Sequence, residues 1–175
     1  MRFTMFLLII LGWYFVSPAA GLAWTGRVIE VQNALVLTVV HENEEKKVRL
    51  FGIEVIQPGK SMAEQANKYT TEMLLGKEAT FEVVDSGPEY FFAVVTQGET
   101  IINDELVRQG YAWVVPRYQN TPYGIKLTSI QANAKKKGAG VWADKNGKLP
   151  LRATGTAQEN KQNILIKPRK PLFTF

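Results

Sequence analysis

Residues 26–53, GRVIEVQNALVLTVVHENEEKKVRLFGI, carry the clearest structural pattern in the chain. Val28, Val31 and the run Leu35-Val36-Leu37-Thr38-Val39-Val40 are apolar and mostly β-branched, which suits a pleated, half-buried surface. Asn33-Ala34 punctuates the first two strands, and His41-Glu42-Asn43-Glu44-Glu45 reads as a polar, solvated hairpin tip. Residues 47–53 return as a third strand. Downstream, Gln57-Pro58-Gly59-Lys60 is a loop, and Ser61 followed by Glu64 predicts a capping box that opens a helix. Met62, Ala66, Tyr69 and Met73 recur at helical spacing, and Gly76 is placed to end the helix in a left-handed conformation.

Two more strands follow at 78–84 and 91–96, around the turn Asp85-Ser86-Gly87-Pro88. A short helix runs from near Asn103 to Gly110. A third runs over 123–137 with Leu127, Ile130 and Ala134 on one face, and Gly138 ends it. Five strands with a helix inserted after the third predict a small Greek-key barrel of the OB type, an α+β domain with about three packing helices.

The flanks differ from this core. Arg2, the apolar stretch 6–16 and the small residues Gly21 and Ala23 form the three parts of a secretory signal, with cleavage after Ala23. The expected location is secreted or periplasmic; an uncleaved N-terminal membrane anchor is the alternative. Residues 24–144 form the folded domain. Residues 145–175 are rich in Lys, Gln, Asn, Thr and Pro and read as a flexible basic tail.

Composition narrows the chemistry. The chain has no Cys, which excludes disulfides, thiolate catalysis and Cys-based zinc sites. One His among 175 residues excludes a His-rich metal site. The formal charge of +5 and pI near 9.4 suggest a polyanion partner. The charge is unevenly placed, however: residues 24–144 hold 13 basic against 15 acidic side chains, whereas 145–175 hold 7 against 1. A polyanion contact is therefore expected on the tail, through Lys145, Lys148, Arg152, Lys161, Lys167, Arg169 and Lys170.

Three groups of motifs carry a family resemblance. Gly26-Arg27-Val28-Ile29-Glu30-Val31, then Val48-Arg49-Leu50-Phe51-Gly52-Ile53-Glu54 and Gln57-Pro58, resemble the first half of a staphylococcal nuclease (thermonuclease) domain. Residues 102–112 (INDELVRQGYA) and 131–142 (QANAKKKGAGVW) resemble its second half. The resemblance implies an OB barrel and calcium-dependent hydrolysis of DNA and RNA phosphodiesters. It implies two aspartates on the ion, a glutamate acting on water and two arginines on the phosphate. The chemistry suits those residue types, because a hard cation takes several oxygen ligands and guanidinium grips phosphate bidentately.

Only part of that set is present. Arg49 matches the first arginine, and Glu54 falls on one calcium aspartate. Leu35 falls on the other, Gln57 on the glutamate and Tyr90 near the second arginine. Small shifts in alignment recover nothing, because no Asp or Glu lies between Glu30 and Glu42 or between Glu54 and Glu64. Losing a general base costs about 10² to 10⁴ in rate, and losing one charge stabiliser about 10² to 10³. The expected chemistry is therefore a nuclease-like domain without family activity, with no cofactor, acting as a binding or scaffold module. Its partner would be nucleic acid or another polyanion, an envelope protein or a glycan. The alternative is a divergent thermonuclease-type endonuclease that uses calcium. Arg49 is expected to pair with Glu54, and Leu35 to join the core or line the barrel mouth.

Overall fold

The computed structural model describes residues 23–55 and 60–143. The elements run β1 (Ala23–Asn33), β2 (Val36–His41), β3 (Glu44–Leu50), β4 (Ile53–Val55), α1 (Lys60–Leu74), β5 (Glu78–Ser86), β6 (Phe91–Gln97), β7 (Thr100–Ile101), α2 (Ile102–Arg108), β8 (Ala112–Val114) and α3 (Pro122–Lys137). Short 3-10 turns cover Pro116–Tyr118 and Gly140–Ala143. The strand order is β3-β2-β1-β5-β6, and a parallel β3–β6 pairing closes it into a five-stranded barrel. Its interior is the continuous core of Val28, Leu37, Val39, Val48, Leu50, Phe81, Ala93 and Val95. This is the OB-type barrel with three helices that the strand pattern predicts.

Local chemistry sets the corners. The β2–β3 hairpin turns on just Glu42 and Asn43, both at positive φ (51° and 65°), the two-residue geometry whose twist matches flanking strands. The polar tip is thus shorter than its composition suggests, and His41 belongs to β2. His41 is also not freely solvated. Its Nδ1 lies 2.7 Å from the Thr25 carbonyl, and its ring centre is 4.6 Å from that of Trp24, which stacks in turn on Phe81.

Two further expectations need correction. The third strand does not run unbroken to Ile53. It stops at Leu50, the chain turns at Gly52 (φ 81°), and β4 pairs with β8 in a separate two-stranded sheet. Three-residue strands carry too little periodicity to be read in sequence. Helix α1 begins at Lys60, so Ser61 lies inside its first turn, and its hydroxyl accepts from the Gln65 side chain rather than capping the helix. Gly76 does adopt the left-handed conformation, as does Gly138 at the end of α3. Helix α3 starts one residue early because Thr121 caps it through Gly124 N–H, with Pro122 in the first turn. The leader, Gln57 and the tail lie outside the described residues.

Asn103 ties these parts together. It is fully buried in the first turn of α2. Its Oδ1 accepts from Val95 N–H (3.0 Å), and its Nδ2 donates to the carbonyls of Phe51 (3.0 Å) and Ala93 (3.3 Å). One amide thereby joins α2, strand β6 and the corner where the chain leaves the barrel. Gly110 and Gly140 complete the packing of the C-terminal segment. A Cβ on Gly110 would lie 2.1 Å from Ala139 O, and one on Gly140 would lie 2.4 Å from Gln109 O.

Asn103→Leu leaves the Val95 N–H and the Phe51 carbonyl without that partner, at about 1–3 kcal/mol for each unsatisfied group, whereas Ala93 O keeps its bond from Phe51 N–H (2.8 Å). We expect a loss of at least about 2 kcal/mol in urea unfolding. Gly110→Ala, which strains a φ of +73° and meets backbone, should lower stability by a comparable amount.

Candidate functional site

Alternation along β3 turns Val48 and Leu50 into the core and leaves Arg49 on the outer face. The break at Gly52 brings β4 alongside, so that Glu54 faces Arg49. Their groups meet at 2.7 Å, Arg49 Nη2 donating to Glu54 Oε2. The pair is about one-third to one-half exposed (32% and 45%), so its contribution to stability is small, about 0–1 kcal/mol. The guanidinium thus already faces an anion.

Tyr90 precedes β6 and is half-buried against the core. Its phenol is held above its ordinary pKa, first by a hydrogen bond to Glu89 and then by desolvation, while the Arg49 charge pulls the other way. Tyr90 thus sits within electrostatic reach of Arg49. Glu89 also lies 3.8 Å from Lys47. Lys47 and Arg49 on β3 therefore each face a carboxylate, Glu89 and Glu54 respectively.

The turn between β1 and β2 shows why the arrangement differs from a calcium site. Asn33 Oδ1 accepts from the N–H groups of Leu35 (2.9 Å) and Val36 (3.1 Å). Helix α1 grips the next residue from both sides: Ala34 N–H donates to Asn67 Oδ1 (2.7 Å), and Thr70 Oγ1 donates to Ala34 O (3.1 Å). Leu35 O accepts from Leu50 N–H at 2.9 Å. These bonds fix the backbone with the Leu35 side chain in the core, 3% exposed. An apolar group there disfavours an ion. The only matched carboxylate in the described residues, Glu54, is engaged by Arg49. The described donor set does not fit calcium, and no three His, Cys, Asp or Glu residues among the described residues converge as metal ligands. Gln57 and the seven tail cations lie outside the described residues.

Sequence reading missed a second polar cluster. Asp104 is buried between α2 and α3, where it accepts from Tyr123 OH (2.7 Å) and pairs with Lys126 Nζ (2.6 Å). Burial raises the Tyr123 pKa far above its usual value, and the hydrogen bond to Asp104 adds to the shift. Tyr123 therefore remains a donor. Buried Gln131 is also a fastener, its Oε1 accepting from Val114 N–H at 2.7 Å. The only signal for these contacts is their place on otherwise apolar helix faces.

Known proteins share this barrel's sequence. The family model described as "Staphylococcal nuclease homologue" matches residues 37–144. A Haemophilus influenzae protein named "Uncharacterized endonuclease" is 28% identical over 144 residues, covering 80% of this chain and 76% of its own. The "Micrococcal nuclease" of Shigella flexneri is 24% identical over 145 residues, covering 77% of this chain and 83% of its own.

Leu35→Asp, the change that would restore the missing carboxylate, should instead destabilise the fold by several kcal/mol, because the side chain enters the core. Burial would raise the new carboxyl's pKa in the folded state above its unfolded value. The folded state then binds more protons, so the loss should be smallest near pH 4 and grow toward pH 7. Urea unfolding at several pH values measures this; a loss independent of pH would place the new side chain in solvent.

Proposed function

Because the chain belongs to the staphylococcal nuclease family, we propose that it is a family member whose calcium-dependent phosphodiesterase centre has been dismantled and which acts as a binding or scaffold module. The observation that carries this reading is Leu35, buried where the resemblance implies a calcium carboxylate. Arg49 supports it. The guanidinium that would meet phosphate is 2.7 Å from Glu54 and would have to release that partner first. Gln57 adds a chemical argument, since an amide cannot accept a proton from water at neutral pH. The leader-like residues 1–23 support a site of action outside the cytoplasm.

The second reading is a divergent endonuclease hydrolysing DNA or RNA phosphodiesters. A specific observation favours it: both relatives carry nuclease names and match over most of their length. The relatives weigh on this side, whereas the described side chains weigh on the first. Under the second reading, Arg49 binds the scissile phosphate and Glu54 helps to hold the ion. The loss of both a ligand and a base would still reduce the rate by at least about 10².

The purified full chain, incubated with single-stranded DNA and RNA with and without calcium, separates the two. The first reading expects no calcium-dependent cleavage and no difference between the wild type and Arg49→Ala. Calcium-dependent cleavage that Arg49→Ala abolishes would establish the second.

A further inference from the structure

Two aromatic side chains share the face of the Arg49–Glu54 pair. Arg49 is in parallel register with Phe92 of β6, and Glu54 is directly opposite Trp113 of β8. Partners in register on neighbouring strands lie on the same side of the sheet. Val48 and Leu50 register with Phe91 and Ala93, on the side that packs against the core, so Phe92 shares the outer side with Arg49. On β8, Ala112 and Val114 are fully buried, and the alternation turns Trp113 outward beside Glu54. Phe92 and Trp113 are both partly exposed, and neither joins the apolar cluster of the core.

The charges on this face balance. Lys47 lies 3.8 Å from Glu89, and Arg49 lies 2.7 Å from Glu54. A polyanion would have to separate these pairs or bring its own charge against two carboxylates. An uncharged polyhydroxyl ligand meets neither cost. A hydroxyl both donates and accepts, so a sugar can accept from the remaining guanidinium N–H groups and donate to carboxylate oxygens without breaking the pair. The C–H face of a pyranose is slightly positive and rests on the negatively polarised face of an aromatic ring. Barrels of the OB type bind oligosaccharides as well as oligonucleotides on the face of their second and third strands, and Lys47 and Arg49 belong to the third. A lipid surface fits less well, because the large exposed hydrophobes among the described residues (Ile29, Leu75, Val84 and Ile125) all lie off β3, β4, β6 and β8.

We propose that the face bearing Arg49, Glu54, Phe92 and Trp113 binds a neutral oligosaccharide, with Trp113 as the stacking platform and the ion pair as the hydroxyl-binding group. This rests on the reading of the chain as a binding module, since it uses Arg49–Glu54 as an intact pair, and it names the ligand class of that module. Trp113 lies outside the positions matched to the family's catalytic groups, so its role is independent of theirs.

The test uses the purified full chain in EDTA and titration calorimetry with two uncharged probes, cellohexaose and N-acetylated chitohexaose, at low and high salt. At least one probe should bind with an affinity that salt leaves unchanged, whereas a polyanion contact weakens steeply with salt. Trp113→Ala should weaken binding at least about tenfold, the loss of one aromatic anchor. Trp113→Phe keeps a ring and should stay within about threefold of the wild type, yet lose the tryptophan fluorescence shift that the probe induces. Far-ultraviolet circular dichroism and the melting midpoint check that both variants are folded; if Trp113→Ala is not, the fluorescence of Trp113→Phe decides alone. Four outcomes overturn the proposal. One is that neither probe binds the wild type. Another is wild-type affinity in folded Trp113→Ala. The third is a fluorescence shift retained in Trp113→Phe, which would place the sugar elsewhere. The fourth is binding of heparin alone, lost at high salt, which would make the contact a polyanion one. The binding-module reading fails by a different result, calcium-dependent cleavage that Arg49→Ala abolishes, so the two failures are separable.

Discussion

Asn103 holds three backbone groups from two separate parts of the barrel, and the other features are arranged around that junction. Its amide bonds Val95 and Ala93 of β6 and Phe51 at the corner after β3. This is where parallel β3–β6 pairing closes the barrel and where the chain departs toward β4. Parallel closure leaves the strand ends without a hairpin to join them. A buried side chain that can donate twice and accept once supplies that link, and only Asn or Gln has the required groups. Because Asn103 lies in α2, the same contact fixes this helix against the barrel, and α2 in turn presents Asp104 to Tyr123 and Lys126 of α3.

The corner that Asn103 secures also shapes the site. A continuous third strand would carry Glu54 away along the barrel. The break at Gly52 instead folds Glu54 back against Arg49. At the β1–β2 turn, α1 clamps Ala34 and sends Leu35 inward. The polar fasteners of the fold, Asn103 and the α1 clamp on Ala34, thus lie outside the positions matched to the family's catalytic groups. That separation is compatible with family membership alongside an outer face on which Arg49 and Lys47 are paired with carboxylates. Fold and family do not by themselves decide chemistry.

Charge follows the same division. The acids of the domain lie almost entirely at or before Glu105, whereas α3 carries none. The global charge of +5 therefore describes neither part. Within the described residues, a cation-rich α3 packs against a domain whose acids lie on the other elements, so the charge is unevenly distributed.

The strand runs, the three helices, the glycines at 76 and 138 and the family are all legible in the residues alone. Each depends on local periodicity or on backbone conformations that one residue type favours. The missing carboxylates are legible too, since residue type settles whether a group can bind an ion or take a proton. His41 is less so, because its polar neighbours suggest solvation whereas it packs on Trp24. The β4–β8 pairing was beyond reach because three residues do not make a pattern. The roles of Asn103, Asn67, Thr70 and Gln131 were equally hidden. Each satisfies a backbone group distant in sequence (the Asn67 and Ala34 positions are 33 apart), and a polar side chain does not announce which partner it will meet. Leu35 shows both sides of the division. Its identity excluded a ligand, but the long-range clamp from α1 was needed to make the position part of the core.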